Sequence, residues 1–351
     1  MKIFVPLVGQ HENIGDIVLR RELVEWLSPE GELHVYVGAS TDAYDRSLEL
    51  PSDAVVYRSV KAWGAALASA LRGSRDVAYV YKPGEIQLTI AGLKEHVGLL
   101  PLVVATRARG GVVVRVGAGS RNFDTFPTAV LRSTLGLAHY TAWRDTRTAR
   151  IMRRGEVMPD LGFGQIGRAD GDKRERTRLT VTMRGDRDAP SSTWREAVRA
   201  TADDLGLALT VVTQVERDEP LGAELAAEWD ADYIAWTGRD HAEQEDAVRR
   251  VFDESALVVS DRLHALIVAL TEGAAVSTVA DGPTDKIQRH FDAAGVPIIA
   301  VDSAQATPDE IRRRLADAAG SRESQQEALG RAVEKLREVR DTVRTTLRRR
   351  R

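Results

Sequence analysis

The sequence predicts an α/β protein of two domains, each built on a mostly parallel sheet. Three observations predict it. The chain has 351 residues, more than the roughly 100–200 of one domain. Short β-rich apolar runs alternate with segments of helical period in both halves, as βαβ crossovers require. A turn-rich stretch, Pro159–Lys173, runs into a charged segment ending at Arg178 and separates the halves. The expected bounds are residues 1–165 for the first domain and 174–320 for the second, with a basic helix over 321–351.

In the first half the expected strands are Ile3–Val8, Leu33–Val37, Ala54–Tyr57, Val77–Tyr81, Val112–Val116 and Ala138–Trp143. Asp16–Leu27, Ala62–Leu71 and Ile86–Thr106 read as the helices between them. In the second half Leu179–Met183, Ala208–Val212, Tyr233–Trp236, Leu257–Val259 and Val276–Ala280 are strands. Thr193–Leu205, Glu243–Asp253 and Leu263–Leu270 are helices. Two such halves imply a cleft between domains, and ligands of parallel sheets lie beyond the carboxyl ends of the strands. The last segment, Ser321–Arg351, has helical period and carries ten Lys/Arg against five Asp/Glu. It reads as a solvated helix or as a weak attachment to an anionic membrane surface.

Composition excludes several classes. With 43% hydrophobic and 29% charged residues the chain is globular rather than disordered. It has no cysteine, so it has no disulfide, thiolate metal site or catalytic thiol. A net charge of −3 argues against nucleic acid as a partner. No apolar run is long enough to span a bilayer, and the opening M-K-I-F-V-P-L-V-G is too short for a signal peptide core. The expected location is cytoplasmic.

Six post-strand segments could carry chemistry. In G-Q-H-E-N-I-G-D (Gly9–Asp16) the chain turns into a helix, with Asp16 as the expected cap and Asn13 exposed. V-G-A-G-S-R-N (Val116–Asn122) has paired glycines, Gly117 and Gly119, that let a ligand or a neighbouring backbone approach closely. Lys82 in the Y-K-P-G-E turn could meet an anion. In W-R-D-T-R-T-A-R (Trp143–Arg150), Arg144 offers a charged planar fork for a phosphate or carboxylate, or pairs within the protein. The strongest signal is L-V-V-S-D-R-L-H-A-L-I-V-A-L (Leu257–Leu270), in which a buried strand ends at Ser260 and a helix opens with Arg262 and His264. Histidine there can give and take a proton near neutrality. A-D-G-P-T-D-K-I (Ala280–Ile287) then supplies Lys286. The scattered histidines show no metal-ligand spacing.

These segments resemble the polysaccharide pyruvyl transferase family. The resemblance rests on N-I-G-D (Asn13–Asp16), W-R-D-T-R-T (Trp143–Thr148), M-P-D-L (Met158–Leu161), S-D-R-L-H-A-L-I-V-A-L (Ser260–Leu270) and D-G-P-T-D-K-I, in the family's order. It implies a GT-B-like fold of two Rossmann-like domains. It also implies transfer of pyruvate from phosphoenolpyruvate onto two hydroxyls of one sugar, giving a cyclic ketal and inorganic phosphate. His264 would then be the general acid or base. Arg144 and Lys286 would bind the donor's phosphate and carboxylate, with Arg262 assisting. Ser260, Asn13, Asp16, Gly117 and Gly119 would complete the substrate site. No metal or cofactor is implied, since phosphoenolpyruvate is a co-substrate. The acceptor would be a cell-surface glycan or its lipid-linked precursor, reached at the inner face of the membrane. The sequence departs from the family pattern at K-P-G-E (Lys82–Glu85), where a glycine run is usual, and at Gly273–Ala275, where Gly-x-Pro is usual. A GT-B glycosyltransferase using a nucleotide sugar and a non-catalytic family member are the alternative readings.

Overall fold

The apolar run after Lys2 becomes a buried strand, and further short apolar runs of the first half add strands to the same sheet. The computed structural model describes residues 1–167, 174–282 and 284–349. The chain divides into two units. The first comprises Met1–His11, Asp16–Leu161 and the chain from Glu334 onward, and the second comprises Glu12–Gly15 and Gly162–Val333.

The first unit contains β1 (Lys2–Pro6), α1 (Ile14–Leu27), β2 (Glu32–Tyr36), α2 (Asp42–Ser47), β3 (Val55–Tyr57), α3 (Val60–Gly73), β4 (Val77–Val80) and β5 (Gly84–Leu88). It continues through α4 (Leu93–Gly98), α5 (Leu100–Ala108), β6 (Val112–Phe123), α6 (Thr125–Thr134), β7 (Tyr140–Trp143), α7 (Thr146–Met152) and β8 (Glu156–Val157). Among the described residues its sheet has eight strands in the order β3-β2-β1-β4-β6-β7-β8, with β5 on β6. All of these pairings are parallel, and the strand order reverses between β1 and β4. Phe4, Trp63, Leu67, Tyr79 and Val113 form the core on one side, and Leu88, Ala118, Leu131 and Trp143 belong to a second cluster.

Two expectations change here. The helix expected over Ile86–Thr106 begins as strand β5, whose Ile86 and Leu88 are buried around an exposed Gln87. That is the period-2 signature of a strand, and it is followed by two short helices. The glycine segment expected as a loop after Val116 instead extends β6 to Phe123, because β5 pairs with it from Gly84↔Ala118 onward. Gly117, at φ +69, absorbs the accompanying bulge.

The second unit contains β9 (Arg178–Thr182), α8 (Ser192–Leu205), β10 (Ala208–Val212), α9 (Glu219–Trp229), β11 (Asp232–Ile234), α10 (His241–Asp253), β12 (Ser255–Ser260), α11 (Leu263–Thr271), β13 (Ala275–Ala280), α12 (Asp285–Ala294), β14 (Ile299–Asp302) and α13 (Pro308–Gly320). Its sheet is β11-β10-β9-β12-β13-β14, parallel throughout. The order reverses between β9 and β12, the topological switch point of a doubly wound sheet. Trp194 and Trp229 anchor the core beside Leu179, Val259 and Val279. The expected linker Pro159–Lys173 contains the single turn Leu161–Gly164, and its residues from 168 on lie outside the described residues.

The final helix, α14 (Arg322–Arg348), buries Ala328, Leu329, Ala332, Leu336, Val339, Val343 and Leu347. That stripe recurs every three or four residues, so the basic helix is a packed element rather than a solvated tail. Glu30, 3% exposed, receives Arg348 through Nε at 2.7 Å and Nη2 at 3.0 Å, and Arg344 at 3.1 Å. Arg350 and Arg351 lie outside the described residues. No helix among the described residues is long and apolar enough to cross a membrane.

Candidate functional site

Each strand of the second sheet delivers a polar loop at its carboxyl end. After β9 comes M-R-G-D-R-D-A-P (Met183–Pro190) and after β10 comes T-Q-V-E-R-D (Thr213–Asp218). After β12 come Asp261 and Arg262, and after β13 Asp281. Loop residues must satisfy their own backbone groups, and here acidic side chains do so. Asp261 Oδ1 accepts from Arg184 N at 2.8 Å, and Asp218 Oδ1 accepts from Gly185 N at 2.8 Å. Asp281 accepts from Ser191 N at 2.7 Å, at the cap of α8.

The arginines divide by what already holds them. Arg262 makes a two-pronged pair with Asp218, Nε–Oδ2 at 2.7 Å and Nη2–Oδ1 at 2.5 Å. Its charge is neutralised in a buried setting. Arg184 makes a similar pair with Asp186, at 2.8 and 2.7 Å. Hydrogen bonds from that guanidinium hold the Asp186 carboxyl down to about 2. Burial pushes the Asp261 carboxyl above its ordinary range, against the opposing pull of the Arg184 backbone N–H. Arg187 is more open. Its side chain is 43% exposed and reaches Asp261 only at 3.7 Å. A cavity of about 480 Å³ is lined by Met183, Arg184, Arg187, Asp188, Pro190, Asp261, Ala280 and Asp281. It opens at the ends of β9, β12 and β13, at the switch point.

His264 is half-buried in the first turn of α11. It lies against Gly15, where any Cβ would overlap its side chain. The Glu12–Gly15 segment is itself pinned to the loop after β10. Asn13 bridges Val215, Glu216 N donates to Glu12 O at 2.9 Å, and Gln214 Nε2 donates to Asn13 Oδ1 at 3.3 Å. The same Asn13 oxygen accepts from Gly15 N at 3.0 Å, so Asn13 caps α1. Asp16, the expected cap, lies inside the first turn instead and accepts from Gln10 N at 2.8 Å. Ser260 is fully buried and donates to Thr182 O at 2.5 Å while accepting from Arg262 N at 2.9 Å. It ties two strand ends together and opens α11, rather than presenting a hydroxyl to a ligand. Lys286 is half-buried in the first turn of α12, and His290 Nδ1 donates to its carbonyl at 2.6 Å.

The remaining expected site residues form a second cluster, in the first unit. Arg144 Nη1 donates to Asp160 Oδ2 at 2.8 Å, with side-chain exposures of 3% and 1%. Asp145 caps α7 by accepting from Thr148 N and Thr148 Oγ1, each at 2.7 Å. Ser120 N donates to the same Thr148 oxygen at 2.9 Å, and Gly117 N to Met158 Sδ at 3.2 Å. A Cβ at Gly117 would strike Leu161, and one at Gly119 would strike Asp145 and Arg144. Thus W-R-D-T, M-P-D-L and the paired glycines are one interlocked packing unit. Arg144 is committed to a buried carboxylate, and the glycines admit neighbouring protein, the second of the two roles the sequence allowed.

Arg184, Arg187 and Asp218 were not singled out from sequence. The available signal was a charged Gly/Pro-containing loop directly after the expected strand Leu179–Met183, where a parallel sheet presents its ligand groups.

The family model for polysaccharide pyruvyl transferase matches residues 13–279. The chain belongs to this family. No curated protein matches it significantly. Among solved structures it is similar to a putative UDP-N-acetylglucosamine 2-epimerase from Listeria monocytogenes, with a TM-score of 0.61 and 12% identity over 98% of this chain and 96% of that one. It is also similar to the UDP-GlcNAc 2-epimerase of Neisseria meningitidis, with a TM-score of 0.61 and 10% identity over 99% of each chain. The enzyme of Methanocaldococcus jannaschii gives 0.53 and 12% over 98% and 99%. At these identities the likeness is one of fold. This family member has the two Rossmann-like units of a GT-B-like architecture.

Proposed function

We propose that the chain transfers pyruvate from phosphoenolpyruvate onto two hydroxyls of one sugar in a glycan or its lipid-linked precursor. The observation that carries this reading is His264 of the family's R-L-H sequence. It is seated on the N-I-G turn, in the helix that opens after β12, three residues beyond Asp261, which lines the cavity with Arg184, Arg187, Asp188 and Asp281. Phosphoenolpyruvate carries a phosphate and a carboxylate, so its site needs at least two fixed cations. Arg187, the more open arginine of the cavity, and Lys286 fill those roles in this proposal. Arg144 and Arg262 do not, because each is held by a buried aspartate.

The chemistry asks little else of the protein. A proton is delivered to C3 of the donor, which makes C2 electrophilic. The first sugar hydroxyl bonds to C2 and gives up its proton. The second bonds to C2 as the C2–O bond to phosphate breaks, and phosphate leaves with the second hydroxyl's proton. One hydroxyl proton replaces the one spent on C3, so a single histidine can serve alternately as acid and base. His264 has that role here. The reaction would take place in the cytoplasm and needs no further cofactor.

The test is thermal unfolding of the full chain with phosphoenolpyruvate and, separately, with UDP-GlcNAc. Ligand at about 100 times its Kd adds about 2.7 kcal/mol, a shift of several degrees. Phosphoenolpyruvate is expected to give that shift in the wild type and in His264→Asn, and to lose it in Arg187→Ala and Lys286→Ala. Stabilisation by UDP-GlcNAc and not by phosphoenolpyruvate would replace this reading with that of a nucleotide-sugar glycosyltransferase.

A further inference from the structure

The first unit carries an exposed apolar stripe that its own core does not use. Helices α4 and α5 join at Leu99, whose backbone stays in the right-handed helical region. Along them Val97, Pro101, Val104 and Ala108 are all exposed, at spacings of three and four residues, so they share one face. The opposite face, with Leu99, Leu102, Val103 and Thr106, packs inward. A helix of a soluble domain ordinarily turns polar residues to solvent, and this stripe has none. Val97 is 44% exposed and Val104 45%.

Two more large apolar side chains adjoin it. Phe126 is 60% exposed in the first turn of α6, and Ile90 64% exposed just beyond β5. Asp124 N donates to Leu88 O at 3.0 Å, which brings those two chain ends side by side. Val130, one turn along α6 from Phe126, lines a small cavity together with Val97 and Leu100. The four side chains therefore belong to one patch.

The ends of the stripe are basic. Lys94 is exposed one turn before Val97. At the far end Arg72, Arg75 and Arg109 line a second cavity of about 480 Å³ with Leu71, Gly73, Ser74, Ala108 and Gly110, a lining that holds three arginines and no acid. Apolar side chains framed by cations match an anionic bilayer, whose phosphates and acyl region present the complementary pair of surfaces. The patch includes no residue of the arginine-rich terminus, where Arg344 and Arg348 are already engaged by Glu30.

We propose that the α4–α5 face of the first unit docks on an anionic lipid bilayer. Ile90, Val97, Val104 and Phe126 enter the headgroup region, and Arg72, Arg75 and Arg109 take lipid phosphates. Each basic residue near such a surface strengthens partitioning about fivefold. This proposal stands apart from the donor and the reaction, since its readout is lipid binding alone.

The test is flotation of the full chain with phosphatidylglycerol/phosphatidylcholine vesicles and with phosphatidylcholine alone. The wild type is expected to float with the anionic vesicles only, and to be released as salt rises. Val97→Asp/Val104→Asp and Arg72→Glu/Arg75→Glu/Arg109→Glu are each expected to bind at least tenfold more weakly with unchanged Tm. All five positions are exposed, so folding should survive. A chain ending at Arg348 is expected to float like the wild type. Absence of flotation by the wild type, or equal flotation by the Val97/Val104 variant, would overturn the proposal. So would loss of flotation on trimming the terminus, or a stable dimer dissociated by the Val97/Val104 change without lipid binding.

Discussion

Replacing Arg144 by methionine tests whether this motif arginine is a ligand group or a structural one. In the structure its Nη1 lies 2.8 Å from Asp160 Oδ2, and neither side chain is more than 3% exposed. Methionine fills comparable volume but leaves the carboxylate of Asp160 buried without its guanidinium. Breaking such a pair costs about 3–5 kcal/mol. For a unit of this size that lowers Tm by roughly 6–20 °C. Asp160→Leu alone should cost a similar amount, for the mirror-image reason. The double variant Arg144→Met/Asp160→Leu should be more stable than either single, because both members of the buried pair are removed together. Thermal unfolding of the three variants, without ligand, gives the answer. An Arg144→Met protein that unfolds with the wild type and loses only its response to phosphoenolpyruvate would refute the structural assignment and restore Arg144 to the donor site.

Three further outcomes follow from the same geometry. Gly15→Ala places a Cβ on His264, so the ring must shift. The proposed turnover should fall about 100-fold, with a stability loss of about 1–3 kcal/mol, measured by phosphate release and by denaturation. Asp186 and Asp261 should give opposite pH signs. Asp186 is held at about 2 in the folded state, so Asp186→Asn should destabilise near neutrality, with the deficit closing as pH falls from about 4 towards 2. Asp261 is raised by burial, so its ionisation opposes folding. The near-isosteric Asp261→Asn should therefore stabilise the protein at pH 7, with the gain vanishing below the ordinary carboxylate range. Unfolding followed across pH checks both, and parallel profiles would count against the assignment. Finally, ending the chain at Leu347 removes the two Arg348 bonds to buried Glu30. The expected cost is about 1 kcal/mol, and adding Glu30→Gln should lessen it in a melting experiment.

What the sequence determined by itself follows from local period. Runs such as Val77–Val80 and Leu257–Val259 are apolar without alternation, the pattern of a short strand buried on both faces. The alternation with helices then requires parallel sheets, and the fold class follows; the family was legible separately, from motifs such as the R-L-H of Arg262–His264. His264 was legible because a helix opening directly after such a strand must stand at the sheet's carboxyl edge. The partner of each polar group was not legible, because partners are distant in sequence. Arg144 meets Asp160, Arg262 meets Asp218, and Arg348 meets Glu30 across most of the chain. An arginine free to bind an anion and one already neutralised by a buried carboxylate look the same in one dimension. Pairing also decided Gly117–Phe123, which is strand only because β5 lies alongside it. The α4–α5 stripe reads as ordinary helix core from its composition, and its exposure depends on what packs against it. Local pattern sets which element forms. Only tertiary packing decides which charges are spent, which faces are covered and which groups are left for a ligand.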